Sequence, residues 1–151
     1  MDFSHIEPVS RAPYPYTELQ EKCLRDLETT EAMQAAGRLH RIYADGSEGF
    51  CCLGRFCVVA GIPSKVELGA GVVAYGNEGC GFATLPSELA KELKLKPLGE
   101  FKRYNREMSD YNSLASMNDS GQYSFKNIAA YIRHDPWNVF TDSPQASEAS
   151  A

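Results

Sequence analysis

The sequence predicts an α+β fold: a single domain in which about four short helices accompany two β-hairpins that form a small antiparallel sheet. Three observations predict it. Apolar residues recur at three- and four-residue spacing in separate short segments, as at Leu19, Cys23, Leu24 and Leu27. Between such segments lie runs rich in β-branched and aromatic residues, interrupted by Asp-Gly and glycine-rich turns. The chain has 151 residues, 43% of them apolar and 23% charged, which suits one well-buried core and is too apolar for a disordered chain.

Residues 1–16 hold Pro8, Pro13 and Pro15 and read as an extended arm laid over the surface, with its tyrosines tacking it down. The globular α+β domain then spans 17–140. Thr17 is a helix N-cap with Gln20 at the capping-box position, predicting a first helix near 18–28 whose apolar face takes up Cys23. Next, "RLHRIYA", "DGS" and "EGFCC" read as a hairpin about a tight Asp-Gly turn, which would send Cys51 and Cys52 to opposite faces of a strand. From Leu53 the period lengthens through Phe56, Cys57 and Ala60, giving a helix that stops at Gly61 and Pro63.

A second hairpin is expected from "GVVAY" and "GCGFAT" about "GNEG". Pro86 fits the first turn of a helix through "SELAKELKL" that puts Leu89 and Leu93 on the core side, with Pro97 beyond it. Asn118, Asp119, Ser120 and Gly121 favour a polar turn, and Ser124 caps a helix with an apolar stripe of Phe125, Ile128, Ala129 and Ile132. "DPWNVF" packs Trp137 and Phe140 inward, and 141–151 has the composition of a disordered tail.

A net charge of -5 disfavours bulk nucleic-acid binding. No stretch approaches the roughly 18 apolar residues of a membrane span, and the start lacks a signal-peptide pattern. Five cysteines, two of them adjacent, suit a reducing compartment, so a cytoplasmic chain with free thiols is expected. Cys51, Cys52, Cys57 and Cys80 form no paired CxxC, and they read as core rather than as a metal site. No cofactor is implied. A catalytic reading would use Cys52 with His40, or Asp119 as a base, but no recognisable cysteine-enzyme motif surrounds them.

Two polar stretches carry the binding candidates. In 99–113, Lys102, Arg103 and Arg106 are interleaved with Tyr104 and Tyr111, a pattern that grips a phosphate and a base together or else forms an exposed connector anchored by its aromatics. Asn118 and Asp119 either contact a ligand or satisfy backbone groups in a turn.

The segments "EGFCCLGRFCVVAG", "LPSELAKELKL" and "LASMNDSGQYSFKNIAAYI" together resemble a widespread group of small phage and prophage proteins of unassigned activity. Members are similar in a CCLG followed by a further cysteine, an LP helix start, and an LNDSG ahead of F..IA..I. The resemblance spans residues 17–134; Met117 stands where the group carries leucine, and 99–113 is longer and more charged. It implies a viral origin. The expected function is a phage-encoded accessory protein that binds and blocks a host protein, such as an antiviral defence component, without catalysis. The alternative is a protein that sequesters a nucleotide or other phosphate-containing small molecule.

Overall fold

Thr17 starts the first helix as its spacing predicts: its Oγ1 accepts from Gln20 N–H at 3.1 Å, while Gln20 Oε1 accepts from Thr17 N–H at 2.9 Å. Such a cap contributes about 1 kcal/mol. The computed structural model describes residues 2–67, 71–76, 83–103, 108 and 111–142. Helix α1 runs over Glu18–Thr29 and buries Cys23, Leu24 and Leu27, each of the two leucines contributing about 1.5–3 kcal/mol. Gln20 is buried too, and its Nε2 donates to Leu93 O at 2.9 Å and to Tyr14 Oη at 3.2 Å.

The sheet has five strands among the described residues: β1 (Met33–Gln34), β2 (His40–Ile42), β3 (Glu48–Phe50), β4 (Ser64–Glu67) and β5 (Val72–Tyr75), in the order β1-β3-β2-β5-β4. β1 runs parallel to β3 and the other pairs are antiparallel, so the sheet is mixed rather than purely antiparallel. The expected first hairpin is β2–β3, turned at Asp45-Gly46, where Gly46 takes a φ of 85°. The second hairpin differs from expectation. Val72–Tyr75 pairs backward with Ser64–Glu67 and lies between β4 and β2, so both its edges are taken before "GCGFAT" is reached. Residues 77–82 of that expected hairpin, Cys80 included, lie outside the described residues.

The Cys-Cys pair opens a helix instead of ending a strand. Cys51 is the N-cap of α2 (Cys52–Ala60), its Sγ accepting from Gly54 N–H at 3.4 Å, and Gly61 closes the helix at a φ of 71°. Gly54 is glycine for a packing reason: a Cβ there would overlap the main-chain oxygen of Leu39, the residue just before β2. The helix thus meets the start of β2 backbone to backbone. The bidentate pair of Arg55 with Asp26, at 2.8 and 3.0 Å, ties α2 to α1.

Pro86 caps α3 (Ser87–Leu93) from outside its first turn, Leu89 and Leu93 are buried, and Lys94 ends the helix at a φ of 60°. The expected turn at Asn118 and Asp119 is the end of a helix, α4 (Leu114–Asp119). Ser113 and Ser116 cap it reciprocally, and Leu114 and Met117 anchor it in the core, which outweighs the turn preference of Asn-Asp. Helix α5 (Phe125–His134) is capped by Ser124 as predicted, and Pro136–Val139 forms α6. Six helices in all, rather than four, are therefore described.

Helix α1 packs on α2 and α5. Phe3, Ile6 and Tyr14 of the arm belong to the same buried core as α1, as do Trp137 and Phe140. Residues 143–151 of the expected tail lie outside the described residues.

Candidate functional site

Asn118 fixes the geometry around the second polar stretch. It is 2% exposed, and all its hydrogen-bonding atoms are used. Its Oδ1 accepts from Cys52 N–H at 3.1 Å and Gln34 Nε2 at 2.9 Å; its Nδ2 donates to Ala35 O at 2.7 Å and to Asp119 Oδ1 at 3.2 Å. One side chain thus joins β1, the start of α2 and the end of α4. Asn118 is structural, and a ligand finds no free atom on it.

Around this joint lies an open cleft of about 510 Å³. It is lined by Ala35 and Ala36 beside β1, by Gln34 and Asp119, by the turn Gly121–Tyr123, and by Ser124 and Asn127 at the start of α5. Asp119 is exposed there, its Oδ1 accepting from Gly37 N–H at 3.0 Å. Gln34 Nε2 also donates to Tyr123 O at 2.9 Å, so the wall is braced by its own amide network. The cleft offers amide, hydroxyl and carboxylate groups beside two alanine methyl groups. That chemistry suits a polar side chain or loop inserted from a partner.

Of the sequence candidates, Asp119 lines this cleft, and Tyr111 stands behind it with its ring edge-on to Tyr123 at 5.2 Å. Lys102 and Arg103 do not join them. A chain of rings separates the two groups: Tyr123 to Phe3 at 6.3 Å, Phe3 to Tyr131 at 5.4 Å, and Tyr131 to Phe101 at 5.1 Å. Arg103 N–H donates to Asn138 Oδ1 at 2.7 Å, its guanidinium reaches Glu7 O at 3.4 Å, and Lys102 N–H donates to Asn138 O at 2.9 Å. Partial burial holds the Lys102 ammonium below its usual pKa, with Asp142 opposing the shift and Lys96 adding to it. Tyr104 and Arg106 lie outside the described residues. Gln34 and Tyr123 were not singled out by sequence, since a glutamine in a two-residue strand carries no periodic signal.

The described cysteines, Cys23, Cys51, Cys52 and Cys57, are all buried and free. Burial pushes the Cys23 and Cys51 thiols up to about 12 and those of Cys52 and Cys57 upward as well. The N-terminus of α2 does not overcome that desolvation, so Cys52 is no thiolate at neutral pH. His40 faces other partners: its Nε2 is 2.7 Å from Glu48 Oε1 and its Nδ1 2.9 Å from Tyr75 Oη. Because a carboxylate only accepts, Nε2 is the donor to Glu48, and Nδ1 pairs with the Tyr75 hydroxyl. Among the described residues, no group of three or more His, Cys, Asp or Glu side chains is placed to hold a metal ion. No helix among them is long and apolar enough to cross a membrane.

Comparison with protein-family models, with curated proteins and with solved structures finds no match to this chain.

Proposed function

We propose that this chain is a phage-encoded accessory protein that binds a host protein in the cytoplasm and blocks it by occupancy, without catalysis, an antiviral defence component being the kind of target meant. One observation carries the reading. Asn118 joins two of the three segments on which the resemblance to phage proteins rests, through its bond from Cys52 N–H, and in doing so braces the open polar cleft. Those segments therefore build a surface. An open recess lined mostly by polar side chains supports recognition of a protrusion on a partner protein.

The test is affinity capture from a bacterial lysate with three forms of the chain. The native chain is expected to recover one partner at stoichiometric yield; Asp119→Arg combined with Gln122→Glu, both exposed, is expected to lose it; Lys102→Glu with Arg103→Glu is expected to keep it. Recovery of no stoichiometric partner by the native chain refutes the proposal. The nucleotide reading places phosphate on Lys102, Arg103 and Arg106 and a base on Tyr104 or Tyr111; the ring chain parts Tyr111 from Lys102 and Arg103, while Tyr104 and Arg106 lie outside the described residues. A thermal-shift panel of nucleotides separates the two, since a ligand at 100 times its dissociation constant adds about 2.7 kcal/mol of stability.

A further inference from the structure

Residues 2–16 wrap the corner between α5 and α6, and the corner holds them by main-chain atoms at every third residue. His134 Nε2 lies 2.6 Å from Ile6 O, Val9 N–H donates to Asp135 Oδ1 at 2.8 Å, and the Trp137 indole N–H donates to Ala12 O at 2.8 Å. The chain bends at each of those three residues. The three captures come from the single tetrapeptide His134–Trp137, and Arg103 adds a fourth at Glu7 O. Main-chain capture reads the path of a peptide; sequence enters through the arm's buried Phe3, Ile6, Pro8 and Tyr14. A cleft of about 430 Å³ remains beside the arm, between Arg11 and Pro13 on one side and Arg133 and Pro136 on the other. The arm enters α1 through a tight turn centred on Pro15, with Tyr16 N–H bonded to Tyr14 O at 3.0 Å.

This is the arrangement of a groove with a peptide in it. We propose that the corner of α5 and α6 is a binding groove for a bent, proline-containing peptide, that the chain's own arm is its resident ligand, and that the arm of a second copy can take its place. The second copy is the occupant because its arm has the one sequence that the structure shows meeting all four captures and filling the apolar pockets. A short tether gives the resident arm an effective concentration in the millimolar range, so exchange is confined to high protein concentration or to chains whose own arm is weakened.

The probe is a fluorescein-labelled peptide of residues 2–16, added to the full chain and followed by anisotropy. Binding to the Ile6→Ala chain, whose resident arm has lost its deepest anchor, is expected to be at least tenfold tighter than to the native chain. Adding Trp137→Phe, which removes the indole N–H and keeps a ring, is expected to weaken that binding about tenfold. Should Ile6→Ala fail to fold, Val9→Pro, which removes the N–H given to Asp135 and replaces the half-buried valine side chain, serves in its place. Equal binding to native and arm-weakened chains, binding to neither while both unfold cooperatively, or equal binding of a scrambled peptide overturns the proposal. Light scattering of the native chain at high concentration is expected to show dimers that exchange subunits with isotope-labelled chain.

Discussion

Cys52 and Asn118 lie 66 residues apart and are joined by one buried hydrogen bond, from the Cys52 N–H to Asn118 Oδ1 at 3.1 Å. The bond satisfies one of the orphan N–H groups that every helix N-terminus leaves. It also makes the start of α2 depend on the end of α4. Asn118→Ala removes the acceptor for Cys52 and Gln34 and the donor to Ala35 O. The buried groups left unpaired predict a loss of about 2–4 kcal/mol in chemical denaturation. A loss below about 1 kcal/mol would show that water replaces the side chain.

Gly54 presents the opposite case, in which an absent atom is what matters. In an exposed helix interior, glycine to alanine stabilises by about 1 kcal/mol. Here the added Cβ would fall on Leu39 O, a backbone atom just before β2, so α2 and β2 must separate. Gly54→Ala is therefore expected to lower stability by about 3 kcal/mol or more, with a fall in the midpoint of urea unfolding. Unchanged stability would mean that the two elements slide without cost.

The thiols predict both a chemical and a pH result. At pH 8 Cys23, Cys51, Cys52 and Cys57 should resist a thiol reagent such as Ellman's in the folded chain and react at once in denaturant. For linkage, Cys23 and Cys51 keep their protons in the folded state up to about 12, against an ordinary value of 9.0. Below that ordinary value both states are protonated and stability is complete. Between pH 9 and 12 only the unfolded chain releases protons, so each thiol lowers stability by about 1.4 kcal/mol per pH unit. Stability that rises above pH 9 would contradict the burial of these groups.

Periodicity and caps made α1, α2 and α5 legible, because Thr17, Ser124 and Gly61 are local signals and their helices carry clear apolar stripes. Helix α4 was hidden because its last residues, Asn118 and Asp119, are turn formers, and only packing of Leu114 and Met117 decides for the helix. β1 is two residues long and has no period to read. At the site, Asp119 and Tyr111 were visible as polar and aromatic residues in an irregular stretch. Gln34 was not, since its partner Asn118 is 84 residues away and no local rule links them. The same limit hid the arm: its prolines predicted an extended path, but the burial of Phe3 and Ile6 depends on α5 and α6.

Asp135 is fully buried between the arm and α6, and its Oδ1 accepts from Val9 N–H while Oδ2 has no partner. Burial raises its carboxyl above its ordinary value, with the Val9 N–H, His134 and Arg103 pulling the other way. The sign follows from that direction. A group whose folded pKa is raised contributes stability below its unfolded value of 3.8 and loses it as pH rises through the folded value, so at neutral pH the ionised carboxylate is a cost. Asp135→Asn keeps the acceptor for Val9, leaves one polar atom unpaired as before, and removes the charge. The variant is expected to be more stable than the native chain at pH 7, and the advantage should shrink as pH falls toward 3.8. Urea denaturation at the two pH values measures it, and a variant less stable at pH 7 would mean that the charge at Asp135 is held in place by His134 and Arg103.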